Sequence, residues 1–326
     1  MKNSGSSGYV DKMNEMGKKG EPFIFIIDYE MINPIVLPMD KAAQEGIYFT
    51  IDNYNNIDNQ IIKTDKFTFK KYPVSYNVFK SSFDLVLNEI RKGNSFLTNL
   101  TFPTPITTNL TLKEIFDRSK APYKLLFKDL FVVFSPELFI KIDGLKISSF
   151  PMKGTIDASD ENARSNILSD PKETAEHHTI VDMIRSDLSS VSTNVKVERF
   201  RFLNEVITAD KTLLQVSSEI TGELPADFRN HLGDIFSKLL PAGSICGAPK
   251  RKTLEIIGKA ENYSRGYYTG VFGIFDGQNL QSAVMIRFIE KKGQNFLFKS
   301  GGGITFSSDP KKEYQELIDK VYVPIH

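Results

Sequence analysis

The feature that most constrains the fold is a set of short apolar segments around an Asp-Gly pair at residues 143–144. Residues 131–134 and 138–142 run toward this pair, and residues 145–150 run back from it. Apolar runs of strand length on either side of Asp-Gly predict an antiparallel hairpin. The sequence therefore predicts at least one pair of antiparallel strands at this place.

The hairpin also predicts a spatial relation between two ionisable residues. With Asp-Gly as the two turn residues, Ile142 pairs with Leu145. The same register places Lys153 opposite Phe134, which is three residues along the strand from Glu137, or about 10 Å at the rise of a β-strand. The sequence therefore predicts that Lys153 and Glu137 share one cleft.

Elsewhere, strand and helix patterns are mixed without a regular βαβ order, which favours an α+β fold with mostly antiparallel sheets. Apolar residues at helical spacing predict one helix that ends at Gly93 and others at 172–188, 226–239, 249–260 and 310–322. Predicted strands include residues 22–28, 96–101, 267–275, 282–289 and 295–299. Residues 1–20, rich in Gly, Ser and Lys, predict a flexible N-terminus, and residues 21–326 a single domain.

Composition excludes several classes of protein. The 326 residues include 41 Lys+Arg and 40 Asp+Glu, a net charge of +1, whereas nucleic-acid-binding domains usually carry a clear basic excess. One cysteine and four histidines exclude an intrachain disulfide and the usual zinc sites, so any metal would be a hard cation held by carboxylates. No apolar run is long enough to span a membrane, and no secretory signal is present. We expect a cytoplasmic enzyme without membrane association.

Two residues near the hairpin are candidates for acid–base and nucleophilic chemistry. Glu137, in Ser135-Pro136-Glu137, lies between apolar runs that would raise its pKa and suit it to act as a general acid. The alternative is a strand-edge glutamate that faces water. Lys153 precedes Gly154, which lets the backbone approach a ligand closely. The alternative for Lys153 is an ordinary surface lysine.

Two pairs of glutamates have i, i+3 spacing on predicted helices: Glu173 with Glu176, and Glu313 with Glu316. Each pair alone is typical of a solvated helix face, where Glu316 and Lys320 would form an ordinary ion pair. If the two pairs met across a cleft, they would repel each other unless a cation lay between them. Mg²⁺ fits that arrangement, because it takes oxygen ligands and commonly bridges to anionic substrates.

Two glycine-rich segments, residues 242–250 and 300–303, match neither of the common phosphate-binding loops. Their backbone N–H groups could bind carboxylates instead, as could the guanidinium of Arg287. The alternative is that both segments are simple loops and turns.

Taken together, six ordered segments resemble the chorismate-utilising enzyme family, and the resemblance covers about residues 93–320. This family includes component I of anthranilate synthase and of aminodeoxychorismate synthase, and the isochorismate and salicylate synthases. The resemblance implies two antiparallel sheets packed as a sandwich with helices outside, and a chorismate site in the cleft between the sheets. The six segments are residues 93–100, 135–137, 151–155, 173–187, 242–250 with 265–268, and 300–320 preceded by 286–287.

The resemblance also implies roles for individual residues. Glu176 and Glu316 would hold Mg²⁺, with Glu173 and Glu313 supporting it through water, and Glu137 would protonate the departing C4 hydroxyl of chorismate. The implied substrate-binding residues are Gly154, Thr155, Ser244, Tyr268, Arg287, Gly301, Gly303 and Lys320.

Within the family, the segment that contains Lys153 resembles that of the aminodeoxychorismate synthases, which have Lys in Pro-x-Lys-Gly-Thr. Anthranilate and salicylate synthases typically have Ala at this position. The lysine would attack C2 of chorismate as the C4 hydroxyl leaves. Ammonia would then add at C4 and expel the lysine from C2. A lysine must be neutral to attack, and partial burial favours the neutral form. This resemblance implies a step on the route to 4-aminobenzoate and folate.

Two departures from the family pattern bear on this choice. Leu97 stands where isochorismate and salicylate synthases carry a water-activating Lys, and Leu214 stands where the family often has His.

Only six residues follow Lys320, so we expect ammonia from a separate glutamine amidotransferase subunit or from solution. The alternatives are anthranilate synthase component I and a non-catalytic chorismate-binding subunit.

Overall fold

The computed structural model describes residues 5–57, 66–159, 162–169, 171–207 and 212–325. Over these residues the strands form two antiparallel sheets of nine strands each, so the predicted α+β sandwich with outer helices is confirmed. The helices are α1 (Gly5–Lys19), α2 (Tyr76–Arg91), α3 (Leu112–Arg118), α4 (Ala163–Ser169), α5 (Pro171–Ser189), α6 (Leu232–Leu239), α7 (Gly243–Cys246), α8 (Lys250–Ala260) and α9 (Pro310–Asp319).

The first sheet has the order β11-β13-β10-β9-β16-β15-β1-β2, with β12 paired to β13. Its strands are β1 (Phe23–Ile27), β2 (Ile35–Pro38), β9 (Leu138–Asp143), β10 (Lys146–Ser149), β11 (Met152–Asp157), β12 (Thr193–Ile207), β13 (Thr212–Glu223), β15 (Val271–Phe275) and β16 (Leu280–Val284). β1 and β15 are buried along their whole length, as their continuous apolar sequences predict.

The second sheet has the order β14-β6-β18-β17-β8-β7-β3-β4, with β5 paired to β6. Its strands are β3 (Ile47–Ile51), β4 (Tyr54–Asn55), β5 (Phe69–Lys71), β6 (Leu97–Thr108), β7 (Tyr123–Phe127), β8 (Phe131–Ser135), β14 (Gly247–Ala248), β17 (Phe288–Lys292) and β18 (Asn295–Ile304).

The chain passes from the second sheet to the first between β8 and β9, at Pro136 and Glu137. β8 pairs with β7 and β17, whereas β9 pairs with β10 and β16. Proline lacks an N–H for a ladder hydrogen bond, so it is suited to the point where one ladder ends. This crossing places Glu137 at the boundary of the two sheets.

The predicted hairpin exists, but its register differs from the prediction. Asp143 pairs with Lys146, so the turn residues are Gly144-Leu145 rather than Asp143-Gly144. Gly144 has φ +58°, as required at the first position of a type II′ turn. The predicted contact of Lys153 with Phe134 is therefore wrong, because β11 pairs with β13 and Phe134 belongs to the other sheet.

The N-terminal segment also differs from the flexible N-terminus predicted for residues 1–20. Tyr9, Met13 and Met16 of α1 are buried in the same apolar cluster as Phe236 of α6. These three side chains follow i, i+4, i+7 spacing and form one apolar face, which the polar composition of the segment conceals. Residues 1–4 lie outside the described residues. No helix in the described part of the chain is long and apolar enough to cross a membrane.

Close packing of α1 on α6 depends on glycine. A Cβ atom on Gly233 would lie 2.2 Å from the carbonyl oxygen of Val10, closer than real Cβ contacts allow. Gly8, by contrast, has nothing within 4 Å of the position of a Cβ atom.

We predict that Gly233→Ala lowers the free energy of unfolding by about 1–3 kcal/mol, because the added methyl group forces α1 away from α6. The matched control Gly8→Ala removes a helical glycine without a steric conflict and should be neutral or stabilising by up to about 1 kcal/mol. Urea unfolding of both variants measures the difference. Equal stability of the two variants would show that α1 does not depend on this close approach.

Candidate active site

A cleft of about 500 Å³ lies between the two sheets and contains most of the predicted site residues. Thr155 pairs with Gln215 of β13 beside this cleft, but its side chain is not among the described ones. The predicted residues that line the cleft are Glu137, Lys153, Gly154, Glu173, Glu176, Ser244, Tyr268, Arg287, Gly301, Gly303, Glu313, Glu316 and Lys320.

Lys153 points across the cleft from β11 toward β18. Its Nζ lies 3.3 Å from Oε2 of Glu176, and it would lie 3.6 Å from a Cβ atom on Gly303. A β-bulge follows Lys153, where the register to β13 shifts, and Gly154 at the bulge has φ +74°. A residue with a side chain would be strained there and would also crowd Glu173, whose Oε2 lies 3.3 Å from the Cβ position.

Glu137 lies in the same cleft. Burial raises the pKa of Glu137, and this effect outweighs the hydrogen bond from Ser244 and the positive charges of Lys153, Lys320 and Arg287, which lower it. Ser244 Oγ donates to Glu137 Oε1 at 2.8 Å. The side chain of Glu137 therefore lies among protein groups of the cleft rather than in open water.

Both glutamate pairs reach the cleft, one from α5 and the other from α9. Glu176 and Glu313 are buried (8% and 5% exposed). Around the Cβ position of Gly302 lie Oε2 of Glu313 at 3.6 Å and Oε1 of Glu316 at 3.7 Å. A side chain at Gly302 would therefore occupy the space that these oxygens face.

The four carboxylates fit a hard divalent cation by donor chemistry, because all the donors are oxygen. Lysine side chains approach both pairs: Lys153 bonds to Glu176, and Lys320 Nζ lies 2.6 Å from Glu316 Oε1. Among the described residues, no three His, Cys, Asp or Glu side chains are close enough to form a ready metal site. At Glu176 and Glu316 a cation would compete with these lysines for the carboxylate oxygens.

Several donors suited to carboxylates surround the cleft. Nε of Arg287 is buried without a hydrogen-bond partner, while its Nη1 donates to the carbonyl oxygen of Lys320 at 3.3 Å. Burial raises the pKa of Tyr268, so its phenol stays protonated and can donate. Burial lowers the pKa of Lys320, opposed by Glu316 and reinforced by Lys153 and Arg287. These groups favour a ligand that carries negative charge.

A buried ion pair behind the cleft was not assigned a role from the sequence. Arg265 donates from Nε and Nη2 to Glu261 at 2.8 and 2.6 Å, and both side chains are almost fully buried. Arg265 also donates to the carbonyl oxygens of Ile245 and Asn99, and the Asn99 amide donates to the carbonyl oxygen of Ser244. The i, i+4 spacing of Glu261 and Arg265 was the available signal, but it is also typical of surface pairs.

Two residues that depart from the family pattern are apolar and buried. Leu97 is 1% exposed and Leu214 is 3% exposed. Cδ1 of Leu97 would lie 2.9 Å from a Cβ atom on Gly303, so Leu97 packs against the same glycine that Lys153 approaches. A leucine at that place cannot activate water.

Comparisons with known proteins agree with this architecture. A profile of the chorismate binding enzyme family matches residues 55–326. Anthranilate synthase component I from Streptococcus pneumoniae superposes with a TM-score of 0.67 at 24% identity, covering 80% of this chain and 60% of that one. At this identity the likeness shows a shared fold.

Curated relatives extend the comparison. An uncharacterized PabA-like protein of Pasteurella multocida is 48% identical over 318 residues, covering 97% of this chain and 98% of that protein. Anthranilate synthase component 1 of Haloarcula marismortui is 30% identical and covers 90% of this chain and 60% of that protein. Aminodeoxychorismate synthase component 1 of Bacillus subtilis is 30% identical and covers 77% of this chain and 55% of that protein.

The match over most of the chain, together with an acid, a lysine and four carboxylates in one cleft between the sheets, shows that this chain belongs to the chorismate binding enzyme family.

Proposed function

We propose that this protein is aminodeoxychorismate synthase component I, which converts chorismate and ammonia to 4-amino-4-deoxychorismate on the route to 4-aminobenzoate and folate. The observation that carries the proposal is the position of Lys153. Its amine lies in the cleft with Glu137, 3.3 Å from Glu176 and beside Gly303. The similarity to aminodeoxychorismate synthase component 1 of Bacillus subtilis supports it.

The chemistry uses two side chains of opposite character. The neutral amine of Lys153 forms a bond to C2 of chorismate, both ring double bonds shift by one position, and the C4–O bond breaks with its electron pair on oxygen. That oxygen takes the proton of Glu137 and leaves as water. Ammonia then forms a bond at C4, both double bonds shift back, and Lys153 leaves C2 as a neutral amine with its electron pair. The nitrogen at C4 returns one proton to Glu137, which restores the acid.

The remaining residues bind and orient the substrate. Arg287 offers a buried donor without a partner, and Tyr268 and Lys320 offer further donors to the substrate carboxylates. Mg²⁺ would be held by Glu176 and Glu316, with Glu173 and Glu313 behind them, and when bound it would neutralise the ring carboxylate. A separate glutamine amidotransferase subunit would supply ammonia.

Anthranilate synthase component I is the second candidate, because a relative of that name covers 90% of this chain. Leu214, where a His is associated with the anthranilate synthases, weighs against it. A non-catalytic chorismate-binding subunit is disfavoured because Glu137, Lys153, Glu176 and Glu316 all line one cleft.

The product distinguishes these candidates. Protein, chorismate, Mg²⁺ and an ammonium salt are incubated with and without aminodeoxychorismate lyase. We expect 4-aminobenzoate only when the lyase is present. Fluorescent anthranilate without lyase would replace the proposal by the second candidate, and binding of chorismate without turnover would favour the non-catalytic subunit.

We predict that Lys153→Ala lowers amination by roughly 10²-fold or more, because the nucleophile is lost. Lys196→Ala is the matched control, since Lys196 is an exposed lysine of β12 paired with Glu198, and it should keep full activity. Rates of product formation with ammonium measure both. Unchanged turnover of Lys153→Ala would mean that ammonia adds to chorismate directly.

We predict that Glu316→Gln weakens Mg²⁺ binding by about 10- to 100-fold, because one charged oxygen ligand is lost. Titration calorimetry with Mg²⁺ in the presence of chorismate measures the affinity. The control Glu255→Gln changes an exposed glutamate of α8 paired with Lys252 and should leave the affinity unaltered. Equal affinities for both variants would mean that the carboxylates of α9 are not ligands.

A further inference from the structure

Asp187 lies near the end of α5 and has no role in the reaction proposed above. Its Oδ1 lies 2.9 Å from Nζ of Lys250, and the two side chains are only about one-fifth exposed (21% and 23%). Lys250 also donates to the carbonyl oxygen of Leu239 at 2.9 Å. Because little water reaches this ion pair, it holds α5 against the start of α8 more firmly than a surface pair would.

Asp187 also contacts the first residue of α7. The backbone N–H of Gly243 donates to its carboxylate, and a Cβ atom on Gly243 would lie 2.8 Å from its Oδ2. The next residue, Ser244, donates from Oγ to Oε1 of Glu137 at 2.8 Å. One peptide unit therefore separates the residue that Asp187 holds from the residue that contacts the acid.

Glu137 and Asp187 also line one small cavity of about 20 Å³, a volume suited to about one water molecule. Most of its other walls are apolar, formed by Leu138, Phe139, Ile140, Ile184, Leu188 and Leu239. Across such a space the negative charge of Asp187, acting directly, would raise the pKa of Glu137. The hydroxyl of Ser244 acts in the opposite direction, because it donates to the charged form of the carboxyl group.

We propose that Asp187, paired with Lys250, is a positioning residue that holds Gly243 and thereby directs the Ser244 hydroxyl onto Oε1 of Glu137. With Oε1 occupied as an acceptor, the proton of the acid form resides on Oε2, so one orientation of the acid is selected. This inference deepens the proposed function and rests on it for the role of Glu137 as the acid. Asp187 acts through Ser244 and is not itself a catalytic residue.

The other charged groups around this chain of contacts come from several elements. Glu137 faces Lys153 of β11, Lys320 after α9 and Arg287 between β16 and β17. Asp187 faces Lys250 of α8, and the thiol of Cys246 in α7 lies within electrostatic range of it. None of these groups is altered by the substitutions below.

The test measures the pKa of Glu137 directly, by ¹³C NMR titration of the full-length protein labelled at glutamate Cδ, with Glu137→Gln to assign the signal. Ser244→Ala should raise the pKa of Glu137 by about one unit, the effect of losing a hydrogen bond to a charged group. Asp187→Ala should raise it in the same direction, and the double variant should match Ser244→Ala alone. Asp182→Asn, an exposed carboxylate of α5 paired with Arg185, is the matched control and should not shift it.

Gly243→Ala provides a second variant in which every charge is kept. Its Cβ atom would collide with Asp187 Oδ2 and with Met183 Sδ, at 2.8 and 2.9 Å, and so separate α7 from α5. We expect it to raise the pKa of Glu137 as well. It decides the question if Asp187→Ala does not fold.

The sign of the pKa change in Asp187→Ala separates the proposal from a direct effect of charge. Loss of the Asp187 charge alone would lower the pKa of Glu137, whereas loss of the Ser244 hydrogen bond would raise it. A lowered or unchanged pKa of Glu137 in Asp187→Ala, or an unchanged pKa in Gly243→Ala, would overturn the positioning role, as would additive effects in the double variant. Because the titration needs no turnover, it stands independently of the product assay. If the assay instead gives anthranilate, the proposed function fails while the coupling of Asp187 to Glu137 is still measured.

Discussion

The buried ion pair of Arg265 and Glu261 is the interaction on which the cleft depends. Glu261 accepts hydrogen bonds from the backbone N–H and hydroxyl of Thr101 in β6, while Arg265 binds the carbonyl oxygens of Asn99 and Ile245. Burial alone would lower the pKa of Arg265, but Glu261 raises it above its ordinary value. Loss of one partner from such a pair costs about 3–5 kcal/mol, because the other charge stays buried. The pair thus joins the second sheet to α7, the helix that carries Ser244.

On this framework the two sheets bring opposite charges into one enclosed space. The chain crosses between the sheets at Pro136, which leaves Glu137 at their boundary, while the approach of β18 to β6 at Gly301 leaves no room for a side chain. Burial then raises the pKa of Glu137 and lowers the pKa of Lys320. Burial therefore makes the carboxyl group of Glu137 hold its proton more tightly and the amine of Lys320 lose its proton more easily.

The sequence predicted which residues line the cleft better than it predicted their strand pairing. Glu137 and Lys153 do share a cleft, but not by the predicted hairpin register, since the turn is Gly144-Leu145 and Lys153 pairs with Val216. A shift of the register by two residues cannot be detected from an Asp-Gly pair, because such a shift leaves every side chain on the same face of the sheet. The helix at α1 was missed because glycine and lysine conceal its apolar face. The roles of Glu261, Asn99 and Asp187 depend on contacts between distant segments, which no local pattern reports.

In the proposed reaction, Lys153 acts as a nucleophile on chorismate. The most direct measurement is mass spectrometry of the protein after it is trapped with chorismate and Mg²⁺ in the absence of ammonia, followed by peptide mapping. We expect a substrate adduct on Lys153 alone, which disappears when ammonia is added. Turnover to the aminated product without any adduct, or an adduct on a different lysine, would contradict it.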